Sequence, residues 1–155
     1  MALLEVLADM RNICFNIMPT SLEVFGLVKS VEELCAKSEV PGHMKITTRE
    51  SRDFPRLSVQ QEFALFRVIQ EFINNALKHS KADTIQIEFA YRKKTALVTL
   101  SDNGIGFDMA KLPAKGMGLN NVRSRIRPYN GEVDIISRPG KGTKYEISIP
   151  TDNKQ

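Results

Sequence analysis

Glu71, Asn75 and Lys78 stand at i, i+4 and i+7 of one helical segment and share a face. A carboxylate, an amide and an ammonium in one column suit a hydrated Mg2+ and phosphate oxygens. The carboxylate can polarise a nucleophile. The amide oxygen can ligate a hard cation, and the ammonium can neutralise phosphate. The competing reading is a solvated face, as on most amphipathic helices. Against it, Asn74-Asn75 sit mid-helix, where each costs roughly 0.6 kcal/mol relative to alanine. Lys, Glu or Gln would serve a solvated face better.

A second constellation, Asp102-Asn103-Gly104-Ile105-Gly106-Phe107, follows a strand-like run. A lone Asp-Asn-Gly is usually a turn, but glycines recur here at 104, 106, 116 and 118. Such density lets backbone approach a ligand. Asp102, at a strand end beside an apolar pocket, can accept a hydrogen bond from an exocyclic amine. Gly116-Met117-Gly118-Leu119 opens a helix whose first N–H groups can receive an anion. The alternative for these two glycines is a hinge with no ligand. Other nucleotide patterns are absent: there is no GxxxxGK[ST], no GxGxxG, and no HRD or DFG.

These residues need elements to hold them. The helix around Glu71 runs from Ser58 to about His79, with Ser58 and Gln61 spaced as a capping box. The runs Thr84–Phe89 and Ala96–Leu100 alternate and form a hairpin over the basic turn Arg92-Lys93-Lys94. A helix follows from Leu119 to about Tyr129, stopped by Asn130-Gly131. Strands at Glu132–Ser137 and Thr143–Ile149 flank Pro139-Gly140-Lys141-Gly142. A short strand is expected at Met44–Thr47, and a loop from Glu50 to Arg56. Ahead of these, Ala2–Ile17 reads as an amphipathic helix. A second helix is expected with Ser21 as cap and Val24, Leu27, Val28, Val31, Leu34 and Cys35 on one face. The order from residue 43 is β, α, β-β, glycine loop, α, β-β. It predicts a two-layer α/β sandwich: a mixed, mainly antiparallel sheet with helices on one face. The apolar stripe of residues 3–35 is a candidate surface for self-association.

With 155 residues, 42 % apolar and 26 % charged, the chain is a globular domain with a core of its own. No apolar run approaches the ~18 residues of a membrane span, and the N-terminus lacks a signal-peptide pattern. The net charge of +4 is scattered, Trp is absent and aromatics do not interleave with bases, so nucleic-acid binding is not expected. Cys14 and Cys35, without a CxxC, read as free thiols of a reducing compartment.

The motifs together resemble the GHKL ATPases. Gln70-Glu71-x-x-x-Asn75-x-x-Lys78-His79 is similar to their N box, Asp102-x-Gly104-x-Gly106 to their G1 box and Gly116-x-Gly118-Leu119 to their G2 box. Gly142-Thr143, before a last strand ending in Pro150, resembles the closing G-T element. The Lys-His ending and short lid resemble sensor histidine kinases of the nitrate-sensor and membrane-fluidity-sensor subgroup. Met10-Arg11-Asn12-Ile13, Pro19, Leu22-Glu23 and Gly26-Leu27 are similar to the second helix of that subgroup's dimerisation and phosphoacceptor domain.

The resemblance implies a Bergerat ATP-binding fold over residues 41–155, preceded by part of the dimerisation helices and a linker in residues 1–40. ATP and Mg2+ are the implied cofactors. Glu71 would be the general base or the group that orients the nucleophile, Asn75 the Mg2+ ligand, and Lys78 and His79 phosphate contacts. Asp102 would bind the adenine amine, with Thr143 supporting it through water. Gly104 and Gly106 would shape the adenine pocket. Gly116 and Gly118, with Leu119 behind them, would hinge a lid of residues 107–117. The family's phosphoacceptor histidine precedes this stretch, and only His43 and His79 are present. The expected partners are therefore a histidine-bearing dimerisation domain and a response regulator, with a homodimer in the full-length protein. The expected location is cytoplasmic, without membrane contact by this stretch and with the anchoring of the parent left open. An anti-sigma serine kinase, a nucleotide-binding regulator and an interaction domain whose glycines are only turns remain alternatives.

Overall fold

The computed structural model describes residues 17–112 and 118–151, together with residues 2, 3 and 6. The expected first helix lies almost wholly outside the described residues. The others form α1 (Thr20–Phe25), α2 (Leu27–Ser38), β1 (Lys45–Glu50), α3 (Val59–Asn75), β2 (Thr84–Arg92), β3 (Thr95–Asp102), α4 (Leu119–Ile126), β4 (Glu132–Ser137) and β5 (Thr143–Pro150). The strand order is β1-β2-β3-β5-β4. β1 runs parallel to β2, and the other pairs are antiparallel. A parallel pair needs a crossover, and α3 supplies it.

The two-period alternation carries through the sheet. Ile85, Ile87 and Phe89 of β2, Ala96, Val98 and Leu100 of β3, and Tyr145, Ile147 and Ile149 of β5 are buried. Gln86, Glu88 and Glu146 between them are exposed. The buried side joins Leu65, Ile69, Phe72 and Ile73 of α3 and Val122 and Ile126 of α4 in one core. Each such fully buried aliphatic side chain contributes about 1.5–3 kcal/mol. The β2–β3 hairpin turns on Lys93 and Lys94, both at positive φ (+48° and +59°), the dihedral signature of a two-residue type I′ turn.

The start of α3 follows the expected capping box. Ser58 Oγ accepts from the Gln61 N–H at 3.2 Å, and Gln61 Oε1 accepts from the Ser58 N–H at 3.1 Å. β1 is longer than expected, running to Glu50 because the parallel ladder with β2 continues to Phe89.

The expected second helix is two helices. Gly26, at φ +86° and ψ −176°, breaks it in a conformation only glycine adopts readily. The break rotates the faces. Val24, expected on the buried stripe, is 66 % exposed, while Leu22 is fully buried. Ser21 is not the cap; Pro19 precedes the first turn, and Ser21 Oγ bonds Ser30 Oγ at 3.0 Å. Arg56 fixes the junction. Its guanidinium donates to the carbonyl of Glu23 at 3.1 Å and to the buried Glu62 carboxylate at 3.0 Å. From Leu22 to Cys35, the apolar side of these helices is buried in the common core, so this part of the stripe is not a free surface.

Candidate functional site

The C-terminal end of α3, the end of β3 and the start of β5 enclose a cavity of about 200 Å3. Phe72, Ile105, Phe107 and Tyr145 give it apolar walls, and Asn75, His79, Asp102 and Thr143 give it polar groups. Phe72 and Tyr145 meet edge to face at 4.9 Å. Burial is the main cause that pushes the Tyr145 hydroxyl up to about 12, with the charges of Glu71 and Asp102 adding to it.

α3 does not end as a regular helix. Ala76–Ser80 forms a wider π turn, closed by Lys81 in the left-handed region. Ser80 stabilises it: its Oγ donates to the Ala76 carbonyl at 2.7 Å and accepts from the Ala82 N–H at 3.0 Å. A π turn advances fewer degrees per residue than an α turn. Four residues after Asn75 nearly complete the circle, so His79 lies beneath it in the cavity wall. Three residues fall short, so Lys78 lies outside the wall, although both side chains are exposed.

Asp102 and Thr143 form the polar end. The Asp102 carboxylate accepts from the Gly104 N–H at 2.8 Å and from the Thr143 N–H. Burial nevertheless raises its pKa, the two N–H groups opposing that shift. Behind Thr143 lies Ser137. Its Oγ donates to the Gly142 carbonyl at 3.0 Å and accepts from the Phe107 N–H at 2.9 Å. Ser137 has one proton, so its 2.9 Å bond with Thr143 Oγ1 runs from the Thr143 hydroxyl. Thr143 Oγ1 therefore keeps only lone pairs to offer. Ionised Asp102 is likewise acceptor-only, and a matching ligand brings donors.

The glycines serve mostly to close the backbone. A Cβ on Gly104 would meet the Ser80 carbonyl at 2.3 Å, and one on Gly142 the Asp102 carbonyl at 2.1 Å. Gly106, at φ +60°, lines the cavity, and a Cβ there would meet the Arg138 carbonyl at 2.1 Å. Hydrogen bonds from Ile105 N–H to the Ser80 carbonyl and from Gly140 N–H to the Ile105 carbonyl complete the join. Asn103 anchors the same loop, its Oδ1 accepting from the N–H groups of Asp83 and Thr84.

Of the residues singled out in the sequence, Asn75, His79, Asp102, Gly106, Leu119 and Thr143 come together in the cavity wall. Glu71, Lys78, Gly104 and Gly118 lie outside it. Gly104, which the resemblance gives a pocket-shaping role, instead packs against Ser80. Gly118 sits at the N-terminus of α4 with φ +70°. Gly116 lies outside the described residues. Glu71 pairs with Arg125 of α4 at 3.1 Å. Sequence reasoning missed Tyr145, Ser137 and Arg125, whose positions depend on long-range pairing. Among the described residues no group of three or more acidic, histidine or cysteine side chains could hold a metal. No described helix is long and apolar enough to cross a membrane.

The family model described as histidine kinase-, DNA gyrase B-, and HSP90-like ATPase matches residues 60–153. The sensor histidine kinase ComP of Bacillus subtilis is 33 % identical over 149 residues, which cover 94 % of this chain and 19 % of ComP. The sensor histidine kinase LiaS of Bacillus subtilis is 30 % identical over 146 residues, covering 94 % of this chain and 40 % of LiaS. The chain thus spans less than half the length of these relatives. Among solved structures, the blue-light activated histidine kinase of Erythrobacter litoralis EL346 superposes with TM-score 0.69 at 20 % identity, over 83 % of this chain and 42 % of that one. The catalytic domain of histidine kinase ThkA superposes with TM-score 0.60 at 16 % identity, over 81 % and 87 % respectively. At those identities the superpositions bear on the fold alone, and both share this two-layer α/β architecture.

Proposed function

The chain belongs to the histidine kinase-, DNA gyrase B-, and HSP90-like ATPase family, and we propose that it is the ATP-binding catalytic unit of a sensor histidine kinase. The observation that carries the ligand is the acceptor pair Asp102 and Thr143 at the end of an apolar-walled cavity. Adenine presents an exocyclic amine there. A purine with a carbonyl at that position would set acceptor against acceptor, leaving buried groups unpaired at about 1–3 kcal/mol. The named relatives are all sensor histidine kinases, which favours this reading over an anti-sigma serine kinase.

The proposed roles follow position. Asn75 and His79 line the cavity about one and two turns beyond Glu71 and face the phosphates. Leu119 places the N-terminal end of α4 at the wall, where a helix dipole favours an anion. Gly118, at φ +70°, provides the bend into that helix; Lys78 reaches the phosphates from outside the wall. Mg2+ would be held by the Asn75 amide and otherwise by water and phosphate, in keeping with its reluctance to shed water. It supplies charge neutralisation during phosphoryl transfer. Glu71 takes the proton from the attacking imidazole, which comes from a dimerisation domain outside this chain. Residues 1–40 correspond to part of the dimerisation and phosphoacceptor segment and a linker, and residues 41–155 to the catalytic unit. A response regulator, a homodimeric parent and a cytoplasmic location complete the reading.

The test is to mix the chain with γ-labelled Mg-ATP and a histidine-bearing dimerisation domain. Acid-labile phosphate should appear on that domain and be lost with Glu71→Ala or Asn75→Ala. A wild-type chain that labels no histidine overturns the proposal.

A further inference from the structure

Glu71 and Arg125 come from different helices, 54 residues apart in the chain, and meet at 3.1 Å between Glu71 Oε1 and Arg125 Nη2. Their side chains are 31 % and 33 % exposed, so the pair is neither fully solvated nor sealed in the core. Arg125 Nε, on the same edge of the guanidinium as Nη2, is buried without a hydrogen-bond partner. The grip on the carboxylate is thus single where an arginine edge can give a double one. Arg67, one turn before Glu71 on α3, faces the same cluster. Its pKa is lowered first by burial and then by the charge of Arg125, while Glu71 raises it. On the other side, the negative charge of Glu71 reaches Tyr145 in the cavity wall. Glu71 therefore stands between two guanidinium groups and the aromatic wall of the cavity.

A partly exposed ion pair of this kind contributes little to stability in general. Its placement is the informative feature. It grips the one carboxylate on the polar column of α3, one turn before Asn75, from the helix that starts at Gly118. We propose that Arg125 is a positioning residue for phosphoryl transfer, holding the Glu71 carboxylate in the orientation from which it accepts the proton of the attacking imidazole. The inference rests on the catalytic reading above. In the step it serves, the acceptor imidazole nitrogen forms a bond to the γ-phosphorus. The bond from that phosphorus to the β–γ bridging oxygen breaks, and ADP leaves with the electron pair. The imidazole N–H proton passes to Glu71. Arg125 touches none of the reacting atoms. Neither Arg125 nor Glu71 lines the nucleotide cavity, so loss of the grip should spare nucleotide affinity.

The test measures two quantities on the full chain and its Arg125→Gln and Arg125→Lys variants. One is the affinity for the Mg2+ complex of a non-hydrolysable ATP analogue; the other is the rate of phosphohistidine formation on a supplied dimerisation domain at saturating Mg-ATP. Arg125→Gln should lower the rate by about tenfold or more, a part of the 10²–10⁴ that a general base supplies, and leave the affinity within about twofold. Arg125→Lys, which keeps a cation within reach of Glu71, should recover most of the rate. An unchanged rate in Arg125→Gln overturns the inference and leaves the kinase reading standing. So does a loss of affinity equal to the loss of rate, the mark of a plain staple between α3 and α4. A wild type that transfers nothing overturns both.

Discussion

Asp102, the last residue of β3, lies directly opposite Thr143, the first residue of β5, across an antiparallel ladder. The end of β3 and the start of its neighbour β5 thus coincide, and these two side chains meet at one end of the cavity. The glycine loop after β3 and the turn before β5 close over the pair, held by Ser137 from β4. A binding end built from three strands is rigid, and each contact in it makes a separate prediction.

Asp102→Asn should separate stability from binding. Burial raises the Asp102 pKa in the folded state, so the fold favours the protonated acid. The stability from that proton is present below the unfolded pKa near ~3.9 and is lost as pH rises through the higher folded value. The ionised form of the group therefore works against the fold. Thermal melts at pH 7 should show Asp102→Asn unfolding within a few degrees of wild type or later. ATP-analogue affinity should fall by about tenfold or more, the worth of one charged hydrogen bond.

Ser137→Ala removes one hydroxyl and orphans three groups: the Phe107 N–H, the Gly142 carbonyl and the Thr143 hydroxyl. Urea unfolding should show a loss of about 1–3 kcal/mol. Nucleotide affinity should weaken too, because the Thr143 hydroxyl is then free to turn its proton into the cavity. A variant with wild-type stability and affinity would remove Ser137 from the site.

Gly106→Ala and Gly118→Ala have the same backbone handicap, φ +60° and +70°, but different surroundings. A Cβ at 118 meets nothing within 4 Å, whereas one at 106 lands 2.1 Å from the Arg138 carbonyl. Gly118→Ala should cost about 1 kcal/mol. Gly106→Ala should cost at least about 2 kcal/mol more, through displacement of the loop. Chemical denaturation of the two variants side by side checks the order.

Tyr145 gives an alkaline signature. With its pKa raised to about 12, the native state holds the phenol proton more tightly than the unfolded chain does. That contribution is present below pH ~10 and is lost as pH rises towards 12, up to roughly 2–3 kcal/mol. Tyr145→Phe should lose less stability than wild type over that window. The Cys35 thiol, also raised to about 12 by burial, is common to both proteins and cancels from the comparison.

Much of this architecture is legible in the residues themselves. The alternation of Ile85, Ile87 and Phe89 and the Ser58/Gln61 box depend on local pattern, and Asn75, His79, Asp102 and Thr143 are legible together through the motifs that resemble the GHKL boxes. What periodicity could not show was conformation imposed by contact at a distance. Val24, Leu27, Val28 and Val31 fit one helical face, yet Gly26 breaks the helix, and Arg56 occupies the space a side chain there would need. Lys78 falls on the Glu71 column of a regular α-helix, and the π turn puts His79 in the cavity wall in its place. Gly104 has the look of a ligand-facing glycine but is required by the Ser80 carbonyl. Ser137 and Tyr145 read as ordinary strand residues until the β4–β5–β3 pairing places them at the cavity.

The most direct measurement of the central claim is calorimetric titration of the chain with the Mg2+ complexes of non-hydrolysable ATP and GTP analogues, repeated with Asp102→Asn. The acceptor pair at Asp102 and Thr143 predicts saturable binding of the adenine nucleotide, binding of the guanine nucleotide weaker by about tenfold or more, and loss of the adenine preference in the variant. Equal affinity for the two nucleotides, or full adenine affinity in Asp102→Asn, would contradict it.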